Sequence, residues 1–187
     1  MLLFHRPTSA DTTRFLERQS CLAFTYSPAG ATRTGALPGY TTDRNRILLG
    51  SGERMFERAC EAVRRWQMFD FPWLTLAPRD AAVATGTTVA IIVGIAGVWT
   101  VSACRVVYVI DDDPRRYGFA YGTLPDHMES GEERFSVEWR DDDSVWYDIL
   151  ACSRPRHPLA RLGKPVARLY QRRFARDSMR AMTRAVR

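Results

Sequence analysis

The sequence predicts an α+β protein in which a curved antiparallel sheet grips a long C-terminal helix, and three patterns predict it. Phe135, Val137 and Trp139 alternate with Arg134, Ser136, Glu138 and Arg140, the period of two that a strand imposes on its side chains. Met55, Phe56, Ala59, Cys60, Val63 and Trp66 fall three or four residues apart, with Arg54, Glu57, Arg58, Glu61, Arg64 and Arg65 between them, which is an amphipathic helix. Beyond Pro155 and Pro158, a longer stripe of Leu159, Leu162, Val166, Leu169, Tyr170, Phe174, Met179 and Met182 repeats the helical spacing, with Pro165 as its kink or restart. An antiparallel sheet flanked by helices buries both apolar surfaces by curling and laying the last helix across its concave face.

Taken in order, Thr8 or Ser9 opens a short helix carrying Phe15 and Leu16. Residues 28–39, rich in Gly, Pro and Thr, read as a loop. Ile47-Leu48-Leu49 ends a strand at Gly50, and Ser51 caps the first strong helix. Pro72 and Pro78 punctuate a linker. From Ala81 to Cys104 there are 24 residues without a charge, long enough for a membrane-spanning helix on hydropathy alone. The run is dominated by Val and Ile and interrupted by Thr85, Thr87, Thr88, Gly86, Gly94 and Gly97, a composition that suits strands. Gly94 and Gly97 bracket a turn, which divides the run into paired strands near residues 84–93 and 98–110. Asp141-Asp142-Asp143-Ser144 is a further turn, after which Val145, Tyr147, Ile149 and Ala151 resume the alternation. On this reading the polar residues of the alternating strands, Asp148 among them, face water.

The chain of 187 residues is 45% hydrophobic and 26% charged, which fits one compact domain, 1–187, and excludes disordered, collagenous and coiled-coil classes. Lysine plus arginine total 27 against 21 acids, for a net charge of +6. Only Lys164 is a lysine. From Ser153 onward eleven basic residues meet one acid, Asp177, so an anionic partner would meet the C-terminal segment. Arg161, Arg168, Arg172, Arg173, Arg176 and Arg180 beside an apolar stripe are the pattern that anionic membrane surfaces and RNA select. A solvated helix face is the ordinary outcome, and nucleic acid is the less expected partner. Cys21, Cys60, Cys104 and Cys152 form no metal or redox spacing; no metal site and no cofactor is expected. The apolar start ends at His5-Arg6-Pro7, too short for a secretory signal, so a cytoplasmic location is the default.

No nucleophile elbow, phosphate loop, dinucleotide fingerprint or zinc-protease helix occurs. The candidate site is instead the space between sheet and last helix, lined by Tyr108, Phe135, Val137, Trp139 and Tyr147 with Leu169 and Phe174. A hydrophobic small molecule or lipid would fit such a lining, although the same side chains also suffice to fill a core. Glu133 shares the parity of Phe135 and points to the covered face, where burial demands a partner such as Arg105 or Arg154. An enzyme of cyclase or hydrolase type would use Glu133 with Arg105 or Tyr121. His127, Glu129, Glu132 and Glu133 are the densest titratable group in the chain, but Pro125, Asp126, Ser130 and Gly131 around them read as a loop with its acids in solvent.

Several runs give the chain a family likeness. Cys104-Arg105-Val106-Val107-Tyr108-Val109-Ile110, Tyr117-Gly118-Phe119-Ala120-Tyr121-Gly122-Thr123-Leu124-Pro125 and Gly131-Glu132-Glu133-Arg134-Phe135 follow one another in an order that resembles uncharacterised protein family 0548. So do Phe24-Thr25-Tyr26 with Gly30-Ala31-Thr32-Arg33, the stretch from Gly50 to Arg58, Trp66-Gln67-Met68-Phe69, Ser153-Arg154-Pro155 and Arg172-Arg173-Phe174. The resemblance spans nearly the whole chain and implies a START-like, helix-grip fold of the kind found in lipid carriers, polyketide cyclases and birch-pollen-type allergens. It implies no catalytic residue. The sequence departs from the expected pattern at Val93-Gly94-Ile95-Ala96-Gly97, where a polar or basic residue would be expected.

Overall fold

The structure, a computed structural model, describes residues 1–35, 37–95, 97–156 and 164–187. One eight-stranded antiparallel sheet organises the chain. Its strands are β1 (Leu2–Leu3), β2 (Thr41–Ser51), β3 (Leu74–Ala77), β4 (Thr88–Ile95), β5 (Val98–Asp113), β6 (Arg116–Thr123), β7 (Glu129–Trp139) and β8 (Ser144–Pro155), in the order β2-β8-β7-β6-β5-β4-β3 with β1 beside the start of β5. The helices are α1 (Ser9–Ser20), α2 (Ala31–Thr34), α3 (Glu53–Arg64), a 3-10 turn at Gln67–Phe69, and α4 (Lys164–Ala185). The sheet curls around α4, and α3 and the 3-10 turn complete the concave layer.

The uncharged middle of the chain is the β4–β5 hairpin, in register from Thr88↔Arg105 to Ile95↔Val98. Gly97, at φ 79°, provides the left-handed turn residue. Gly94 lies across from Trp99, whose ring occupies the place a Cβ would take. The apolar run is therefore explained by burial on both faces rather than by lipid, and among the described residues no helix is long and apolar enough to cross a membrane.

Local signals account for most element ends. Thr8 caps α1 in a reciprocal box: its hydroxyl accepts from Asp11 N at 3.1 Å while its own N–H donates to Asp11 Oδ2 at 3.0 Å. The cap of α3 is Gly52, at φ 87°, and not Ser51, because β2 runs on through Ser51 after a bulge between Leu48 and Gly50. The Pro72–Pro78 segment holds edge strand β3, too short to show a period in the sequence.

Two expectations about burial need correction. The polar side of β7 and β8 is not wet: Glu132, Ser136 and Asp148 are each 2% exposed, because α2 and the segment before it fold over that face and Arg44, Arg46 and Arg134 close on Asp148. Asp148 is there the hub of an ion-pair group, 2.7 Å from Arg44, 3.1 Å from Arg46 and 3.5 Å from Arg134. On α4, Leu169 is 65% and Val166 57% exposed. The inward face runs instead through Phe174, Ala175, Ser178 and Met182, small side chains letting the helix approach the sheet. Leu159 and Leu162 lie outside the described residues.

Candidate functional site

The concave face of β7 carries Glu129, Gly131, Glu133, Phe135 and Val137 in alternation, and the register sets Glu133 between Tyr121 on β6 and Ala151 on β8, with Asp43 on β2 next across. The interior they face has two unlike ends. Toward α3, Phe119, Phe135, Val137 and Tyr147 are fully enclosed, and Trp66 meets Phe119 edge-on at 4.5 Å. Phe69, from the 3-10 turn, sits among Phe135, Phe174 and Tyr121 at ring separations of 5.4, 5.6 and 6.1 Å. This end is packed core, held further by a hydrogen bond of 3.0 Å between the Tyr147 and Ser178 hydroxyls.

The other end is polar and partly open. Glu133, Glu129, Asp43, Asn45, Ala151, Ser153, Gln171 and Phe174 all retain some exposure there. Ala151, opposite Glu133, and Ser153, two residues further along β8, are small side chains. The Tyr121 hydroxyl donates to Glu133 Oε2 at 2.9 Å, and no cation among the described residues pairs with that carboxylate. Burial pushes Glu133 up to about 7; the Tyr121 hydrogen bond opposes the rise and Asp43 adds to it. The Cys104 thiol is raised by burial and then by Glu133. Tyr121 is held well above the usual phenol range by burial and by Glu133. Arg168, from the first turns of α4, grips both oxygens of Asp43, which keeps Asp43 ionised and below the usual carboxylate range. Arg168 Nη1 also donates to Gln171 Oε1 at 2.9 Å, and Gln171 Nε2 donates to Ser153 Oγ at 3.2 Å. Glu129 is raised by burial, with Ser153 and Arg168 opposing, and its Oε2 is a buried oxygen without a partner among the described residues.

Tyr121, Glu133, Phe135, Tyr147 and Phe174 thus come together, with Val137 behind them in the packed end. Trp139 is remote, stacked on Phe56 with ring centroids 6.1 Å apart. Three candidates lie elsewhere. Tyr108 is on the convex face, because Val107 is an extra residue between the Val106↔Tyr121 and Tyr108↔Ala120 pairs and reverses the parity. Arg105 has the parity opposite to Cys104 and Val106; its guanidinium donates to the carbonyls of Ser20 (2.9 Å) and Leu22 (2.6 Å), closing the end of α1. It does not pair with Glu133, and neither does Arg154, which lies over the Tyr40 ring. Leu169 faces outward. Phe69, Asp43, Gln171 and Ser153 were not singled out by sequence reasoning; the alternation Asp43, Asn45, Ile47 is the signal that places Asp43 on the covered side.

The 125–133 stretch is not a solvated loop of acids. His127 is half-buried and lowered to about 4 by burial. Glu132 accepts from Gly30 N at 2.7 Å, Thr32 N at 2.8 Å, the Tyr26 hydroxyl at 2.5 Å and the Thr32 hydroxyl. It pins residues 26–32 to the convex face. Gly122 is required beside it, since a Cβ there would strike the Tyr26 ring. Among the described residues no cluster of His, Cys, Asp or Glu has the geometry of a metal site.

Residues 25–181 match the family model described as "Domain of unknown function (DUF1990)". A UPF0548 protein of Dictyostelium discoideum is 34% identical over 207 aligned residues, covering 100% of this chain and 96% of the relative. Among solved structures, hypothetical protein jhp0584 of Helicobacter pylori superposes with a TM-score of 0.62 at 13% identity, covering 88% of this chain and 100% of the other. Ara h 8.0201 superposes with a TM-score of 0.51 at 10% identity, covering 79% and 98%. These two likenesses are of fold alone.

Proposed function

The chain belongs to the UPF0548 family, whose DUF1990 domain has no assigned activity, and from that premise we propose that it binds an apolar or amphipathic small molecule at the polar end of the sheet–helix interior. The observation that supports this reading is Glu133, a carboxyl held among aromatic rings with Tyr121 as its hydrogen-bond donor, at the partly exposed end of the interior where Ala151 and Ser153 are small. A protein core gains nothing from an acid there, since an enclosed carboxylate without a cation is costly. A ligand bearing one polar group would bond to Glu133 and Tyr121 while its apolar part lies against Phe69, Phe135 and Phe174. With Glu133 near 7, both of its protonation states exist close to neutral pH, so it can accept a hydrogen bond from the ligand or donate one, and can move a proton to a bound substrate.

Fluorescent-probe displacement with fatty acids, fatty alcohols and aromatic ligands tests the reading. The expected result is saturable binding that falls at least tenfold in Ala151→Trp, which fills the space beside Glu133, with the circular dichroism spectrum retained. Absence of binding by the wild type, or equal binding by that variant, overturns it. A second reading, docking of α4 on an anionic membrane, is favoured by the exposure of Val166 and Leu169 next to Arg172. Cosedimentation with phosphatidylglycerol vesicles that vanishes in Leu169→Asp supports it, and vesicle binding unchanged by that substitution removes it.

A further inference from the structure

A recess lies at the free edge of β5, with walls from both faces of the sheet: Arg33 and Tyr108 from the convex side, Arg64 and Tyr117 from the concave side. β4 pairs with β5 only as far as Arg105, so from Tyr108 onward β5 has a strand neighbour on its β6 side alone. Residues 83–85 cross beside this free edge and leave a recess of about 550 Å³ whose walls include Arg33, Arg64, Tyr108, Tyr117, Thr85 and Asp111. Two arginines enter it from different elements, each lying on a tyrosine ring: Arg33 of α2 is 4.0 Å from the Tyr108 ring centre, and Arg64 at the end of α3 is 4.3 Å from that of Tyr117. A guanidinium that rests its flat face on an aromatic ring keeps the N–H donors on its edge available. Among the described residues Arg33 has no carboxylate within ion-pair distance, and Arg64 meets only Glu61, at 3.7 Å.

We propose that this recess is an oxyanion site that takes a compact phosphorylated small molecule, one phosphate or diphosphate group being held between Arg33 and Arg64. Two separate forked cations match a dianion better than a single carboxylate. Asp111, the acid in the wall, disfavours an extended polyanion such as a nucleic-acid backbone. The site is built rather than incidental. The Tyr108 hydroxyl donates to Thr32 Oγ1 at 2.7 Å, and the Thr32 hydroxyl in turn donates to Glu132. Thr32 precedes Arg33 in the chain, so one buried carboxylate fixes both the ring and the turn that carries the cation above it. The backbone of that turn is closed by Arg33 N donating to the Gly30 carbonyl at 3.0 Å, and Gly30 N donates to Glu132 as well.

Calorimetric titration of the full chain with inorganic pyrophosphate at low salt tests the assignment. Saturable binding is expected, about tenfold weaker in Arg33→Gln or Arg64→Gln and undetectable in the double variant, with Arg64→Lys weakened because it keeps the charge but loses the fork and the stack. Arg18→Gln on α1, exposed and outside the recess, serves as the control and should bind as wild type. Arginine side-chain NMR signals of the wild-type protein give a second reading that does not depend on variants folding: those of Arg33 and Arg64 should shift with pyrophosphate. No saturable binding, unchanged binding by the double variant, an equal loss in Arg18→Gln, or shifts confined to other arginines would each overturn the site. Vesicles of phosphatidylglycerol run in parallel distinguish the source: loss of vesicle binding in the same double variant identifies a lipid headgroup, and pyrophosphate binding without vesicle binding identifies a free ligand.

Discussion

Glu132 and Glu133 are neighbours in the chain and opposites in the fold. Glu132 points to the convex face and is met by two backbone N–H groups and two hydroxyls; Glu133 points to the concave face and has the Tyr121 hydroxyl. Enclosure alone does not decide what a carboxyl does. With its lone pairs filled, the first is a structural pin; with most of them unfilled among aromatic rings, the second is pushed up to about 7 and has capacity left for something else.

Removing each group separately tests that contrast. The largest effect is expected from Glu132→Ala, which strands four donors and frees residues 26–32: a loss of about 4 kcal/mol in urea unfolding. Next is Glu133→Gln. Its folded-state value lies above the unfolded one, so the wild type holds its full stability below about pH 4.5 and loses part of it as pH rises toward 7. The Gln variant should lack this decline and be more stable than wild type at pH 8 by about 2 kcal/mol. A variant less stable than wild type at pH 8 would mean that Glu133 is a pin as well, and the contrast would fail. The smallest effect belongs to Tyr121→Phe, a loss of about 1 kcal/mol at pH 8 with a further rise in the Glu133 titration midpoint followed by carboxyl NMR.

The alternation around Phe135 suffices to place Glu133 on the covered face, because a period of two leaves no freedom once the strand is recognised. Its surroundings were not legible in the same way. Arg105 is three residues from Tyr108 in sequence, yet it closes the end of α1, a contact between segments more than eighty residues apart that no spacing encodes. The inward face of α4 is chosen by close approach at Ala175 and Ser178, so the larger Leu169, which hydropathy favours, is left outside. The buried polar layer of Glu132, Arg134 and Asp148 reads as a solvent face until α2 and the segment before it are known to fold over it. The extra residue in β5 has no glycine or proline to mark it.

That spare residue has a wider effect than a local kink. With Val107 inserted, a single hairpin turns Val106 toward one chamber and Tyr108 toward the other. Were Val107 paired regularly opposite Ala120 instead of bulged, Tyr108 would swing into the aromatic interior and Arg33 would lose its platform, so one uncounted position divides the molecule's labour between its two sides.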